Sequence, residues 1–110
     1  MRIYVPATLD LLAGWVAAGE VPTAGSVAAP DEQEESEYAA LLAAADASAA
    51  LLGGVGRRVV VVARTAGRGV AVPLREVVAV HADTEEFDPA EVDPPELGWF
   101  ATQEIPDLLG

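Results

Sequence analysis

The chain has one histidine, His81, and Asp83 follows it two residues later. On an extended strand that spacing puts both side chains on one side. A base with its orienting carboxylate needs that arrangement, and so do two metal ligands. The plainer reading is a histidine at a strand end beside a neighbouring acid. A Ser-His-Asp triad would draw on Ser26, Ser36 or Ser48, none of which sits in a nucleophile-elbow pattern. Cysteine is absent, which excludes disulfides, thiolate catalysis and Cys-ligated metals.

The acidic segment DTEEFDPAEVDPPE, residues 83–96, offers carboxylates for Ca²⁺ or Mg²⁺, but the EF-hand pattern fails. Phe87 holds its fifth position and Asp88 stands where the turn glycine belongs. A solvated loop is expected, with only Phe87 and Val92 able to anchor it, and no metal site. GGVG at Gly53–Gly56 precedes a strand instead of opening a helix, the wrong order for a phosphate-cradling turn. Gly67 and Gly69 fit a hairpin turn, so no cofactor is expected.

The ending ELGWFATQEIPDLLG holds two of the six aromatic residues, Trp99 and Phe100. Neighbours on a strand face opposite sides of its sheet. Phe100, with no polar atom, suits the core, and the indole N–H of Trp99 suits a wetter edge. An enzyme would gather Tyr4, His81, Asp83, Thr102, Gln103 and Glu104 around one cleft, with Glu104 or His81 as the acid–base group. The ordinary role of Thr102, Gln103 and Glu104 is to cap a closing turn. Without such a cleft, the reading is a non-enzymatic module acting through contact with a protein partner or a second copy, with Trp99 exposed for it.

Charge narrows the partners. The net charge is −12, which opposes general binding to nucleic acid or an anionic membrane. All five basic residues between Arg57 and Arg75 lie together without an acid, against Arg2 and eighteen acids elsewhere. This stretch, with Arg57, Arg58, Arg64 and Arg68, is either neutralised by acidic parts of the same fold or forms a local anion site. No signal-peptide pattern and no apolar run of about 18 residues occurs, so a cytoplasmic protein is expected.

The 110 residues fit one domain with a modest core of Ala, Val and Leu. Arg2–Val5 reads as a strand, and Thr8 caps a helix that stops at Gly19. Residues 21–30 read as a loop. Asp31 and Glu34 suit a capping-box variant. The helix behind them carries Tyr38, Leu41, Leu42, Ala45, Ala49 and Leu52 as its apolar stripe, and Gly53-Gly54 ends it. VVVVA after Arg58 and VVAVHA at 77–82 are apolar on both faces, so they belong in the middle of a sheet. Thr65–Gly69 reads as a turn, Val70–Val72 as a short return strand, PLRE as a single helical turn, and Leu97–Ala101 as a last strand. The order predicts an α/β (α+β) two-layer sandwich, with three to five strands and two main helices. A ferredoxin-like βαββαβ core with a helical hairpin in its first crossover is one version.

RIYVPATLDLL, EYAALLAAA, PLREVVAVHAD and LGWFATQEIPDLL, in that order, resemble an uncharacterised family of actinobacterial proteins. The family is one of unknown function, so the resemblance implies no reaction, ligand or catalytic residue.

Overall fold

The four valines Val59–Val62 leave no polar side chain to face water on either side of a strand. Both faces of their sheet must therefore be covered. In the computed structural model, which describes residues 1–65, 71–90 and 94–110, all four are buried. The elements run β1 (Arg2–Ala7), α1 (Leu9–Ala18), β2 (Glu20–Val21), β3 (Val27–Ala28), α2 (Glu34–Leu52), β4 (Val59–Arg64), β5 (Val72–Pro73), β6 (Val77–Ala82), β7 (Gly98–Phe100) and α3 (Ile105–Leu109). Single 3-10 turns occupy Leu74–Glu76 and Thr102–Glu104.

The main sheet is antiparallel in the order β3-β1-β4-β6-β7, and β2 pairs with β5 as a separate ribbon. Alternation along the strands sorts the side chains into two cores. Ile3, Val5, Val61 and Val80 face Leu12 of α1, Val21 and Val72 of the ribbon, and Ile105 and Leu108 of α3. Tyr4, Val60 and Val62 face Ala40, Ala44 and Ala45 of α2.

The α+β class is the one expected, and β4 and β6 are adjacent central strands. Two details differ. Elements cover both faces of the sheet, so there are three layers instead of two. A ferredoxin-like crossover would leave a strand between β1 and its parallel partner, yet β4 lies directly beside β1 and antiparallel to it. The expected loop at 21–30 contributes two short strands, β2 ending at Val21 and β3. Val72 pairs in the ribbon with Val21 and does not return along β4. The expected turn at Thr65–Gly69 lies, apart from Thr65, outside the described residues, as does Val70.

Local chemistry sets the helix ends. The Thr8 hydroxyl accepts from the Leu11 N–H at 3.1 Å, and Gly19 takes the left-handed φ of 81° that stops α1. α2 begins without the expected capping box. Asp31 Oδ1 instead accepts from the Gln33 N–H at 2.9 Å, and Gln33 occupies the cap position without a side-chain bond. α2 is also rotated by roughly a quarter of a turn from its expected stripe. Ala40, Ala44, Ala45 and Ser48 are its buried residues, while Tyr38 and Leu42 are exposed. The rotation follows from size and from Ser48. Small side chains let α2 approach the strands closely, and the buried Ser48 hydroxyl donates to the Ala7 carbonyl at 2.7 Å while accepting from the Val59 N–H at 2.9 Å.

Candidate functional site

Asp83 directly follows the end of β6 and turns to Arg58. Its carboxylate is wholly buried and accepts three bonds from Arg58: from the backbone N–H at 2.7 Å, Nε at 2.8 Å and Nη2 at 2.7 Å. The Arg58 guanidinium also donates to the Pro95 carbonyl at 2.8 Å and lies 4.1 Å from the centre of the Phe87 ring. Arg57 Nε donates to the Asp83 carbonyl, and Phe87 and Gly56 exchange both backbone bonds. The acidic segment is therefore pinned at Asp83, Phe87 and Pro95, whereas only Phe87 and Val92 had looked capable of anchoring it. Val92 lies outside the described residues. With both oxygens held by Arg58, Asp83 is a structural partner within the fold.

The other residues of the expected cleft do not gather. Tyr4 is buried beneath α2 on β1. Burial, and then the Glu37 carboxylate, push its phenol above the ordinary tyrosine value, with Arg2 opposing them. The Thr102 hydroxyl donates to the Val77 carbonyl at 3.1 Å, at the start of β6. His81 lies near the far end of that strand, about 13 Å along it. Glu104 Oε1 accepts from the Ala101 N–H at 2.9 Å, closing the last turn, and Gln103 is exposed. Among the described residues, no group of three or more His, Asp or Glu is placed to hold a metal ion.

The arginine stretch also divides. Arg58 and Arg57 belong to the Asp83 clamp, Arg64 ends β4 on the surface, and Arg68 lies outside the described residues. Arg64 stands directly opposite Arg2 of β1. This partner was not anticipated, because only the strand register brings it there.

His81 and Trp99 do come together. They are paired across β6 and β7, and Val60 pairs with His81 from the other side, so all three stand on the α2 face of the sheet. α2 packs over β3, β1 and β4 and leaves Trp99 at 61% exposure. Burial lowers the His81 imidazole below its ordinary value, keeping it neutral near pH 7. At about 100° per residue, Ser36 and Ala39 of α2 fall on the β3 side, where they border a groove with Val27 and Ala28. Tyr38 and Leu42 fall on the opposite flank, towards β6 and β7. They are 54% and 47% exposed. Leu41, Val78 and Leu97 are partly buried along the same side of the core. The result is an apolar face with Trp99 on one side and Tyr38 and Leu42 on the other. The sequence had named Trp99. It had placed Tyr38 and Leu42 in the core, and the spacing of Ala40, Ala44 and Ser48 was the overlooked signal.

A family of unknown function, DUF6912, matches residues 1–95. The chain belongs to this family. The match takes in β1 through β6 and the Asp83 clamp as far as Pro95, while β7, with Trp99, lies beyond the matched residues. Membership assigns no activity. No curated protein and no solved structure matches the chain. No helix among the described residues is long and apolar enough to cross a membrane.

Proposed function

We propose that the protein is a non-enzymatic interaction module of the cytoplasm, and that the face between Trp99 and the Tyr38–Leu42 flank of α2 docks a basic, amphipathic segment of a partner polypeptide. The observation that carries this reading is Trp99, a large aromatic left 61% exposed beside His81 on the face that α2 leaves open. Exposed apolar patches of this kind mark contact surfaces, and tryptophan is prominent among contact anchors.

Charge selects the partner. At −12 the chain repels a second copy of itself and attracts a basic segment. Acids also neighbour the patch in sequence: Glu34 and Asp46 on α2, and Glu96 before β7. The dispersal of Tyr4, His81, Asp83, Thr102 and Glu104 favours this reading over the enzyme alternative, because these groups do not gather around one cleft.

The test is a two-dimensional amide NMR titration with two peptides of equal helix-forming and apolar content, one flanked by arginines and the other by glutamates. The basic peptide should shift the amides of 38–42, 78–81 and 97–100 in a saturable way, and the acidic one should not. Equal response to both peptides, or shifts confined to other surfaces, would overturn the proposal. Self-association through the same amides would assign the face to a second copy instead.

A further inference from the structure

Met1 and Thr65 exchange both backbone bonds, at 2.9 and 3.1 Å. The next pair, Arg2 and Arg64, is therefore a non-hydrogen-bonded pair, the type in which opposing side chains approach most closely. Like charges in that position repel. Both side chains stand on the α2 face, since Tyr4 and Val62, two pairs further on, face α2. They border an open groove of about 830 Å³ beside the start of α2, whose other charged groups are the Met1 ammonium and the Asp31, Glu32 and Glu37 carboxylates.

The internal pairing is incomplete. Arg2 Nη1 lies 3.5 Å from Glu37 Oε2, a long and partly exposed contact. Asp31 is turned towards the Gln33 N–H. Arg64 has no carboxylate partner among the described residues, and neither does Glu32. The two guanidiniums sit on adjacent strands, while the acids belong to the α2 side of the groove. A simple anion would meet three carboxylates, and a simple cation would meet two arginines and the Met1 ammonium. A molecule with charge of both signs satisfies both walls.

We propose that this groove binds a small dipolar metabolite bearing both a carboxylate and an ammonium, of the free α-amino acid class. The carboxylate lies on the Arg2–Arg64 pair, where guanidinium forks match its two oxygens. The ammonium faces Glu32 and Glu37. Binding relieves the repulsion between the arginines, so the strand pairing that is unfavourable in the empty groove becomes a preorganised receptor. The site is independent of the Trp99 face.

The experiment is an amide NMR titration of the whole chain with glycine and then with larger free amino acids, using acetate and ethylamine as half-ligands. Amino acids should give saturable shifts at residues 2, 29, 31–32 and 64, with the half-ligands weaker. Arg64→Gln should reduce amino-acid affinity about tenfold or more, the loss of a charge-assisted contact. Its melting temperature should hold or rise, because an opposed charge is removed. A fall in stability would mark Arg64 as merely structural and overturn the proposal. So would acetate or ethylamine binding as tightly as glycine, an unchanged affinity in Arg64→Gln, or no saturable shift at these amides.

Discussion

Replacing Asp83 by alanine should be among the most damaging single changes in the chain. The carboxylate is fully buried and accepts three bonds from Arg58, which is itself only 6% exposed. Truncation leaves a guanidinium and a backbone N–H without their acceptor inside the protein. Removing one member of a buried pair costs about 3–5 kcal/mol, mostly because the remaining charge is stranded. The Pro95 carbonyl and the Phe87 ring stay beside Arg58 and hold the cost near the lower figure. Against a total of about 5–15 kcal/mol for a small domain, a loss of about 3 kcal/mol lowers the melting temperature by about 12–24 °C. Urea unfolding followed by circular dichroism gives the free energy directly. The double variant Arg58→Met/Asp83→Leu should recover most of the loss, because it removes both charges and keeps the volume. A loss below about 1 kcal/mol for Asp83→Ala would refute the idea that this pair pins the acidic segment to β4.

Three further outcomes follow from the same geometry. Ser48→Ala deprives the Ala7 carbonyl and the Val59 N–H of their shared hydroxyl and should cost about 1–3 kcal/mol in urea unfolding. Phe100, partly buried against the core, should cost about 2–3 kcal/mol as Phe100→Ala, while the exposed Trp99→Ala should stay within about 0.5 kcal/mol in parallel melts. His81 has a folded-state pKa below its unfolded value of about 6.5, so the unfolded chain takes up its proton first. The stability this contributes is full above about pH 6.5 and is lost as pH falls through the lower folded value. His81→Phe should therefore flatten the acidic side of a plot of unfolding free energy against pH.

The parts of the fold that were legible in the sequence are those fixed by nearby residues. Thr8 and Gly19 bound α1 because capping depends on contacts within one turn. The valines of β4 and β6 declared central strands because no polar residue interrupts them. Register and long-range pairing were not legible. β2 and β3 are two residues each and exist only because β5 and β1 lie beside them. The face of α2 was set by close approach and by the Ser48 bonds, and the larger side chains of Tyr38 and Leu42 did not decide it. Arg58 read as one of a basic run, and its true partner lies 25 residues away. Arg2 and Arg64 are opposed by register alone.

The central claim concerns Trp99, and its own fluorescence tests that claim most directly. In Trp15→Phe, Trp99 is the remaining indole, so emission reports its surroundings alone. The free protein should emit like a solvated tryptophan. Addition of the basic amphipathic peptide should move the emission to shorter wavelength with saturation, and added salt should weaken the effect as charge attraction is screened. Emission that is already blue-shifted in the free monomer, or that stays unmoved by the basic peptide at millimolar concentration, would contradict the account.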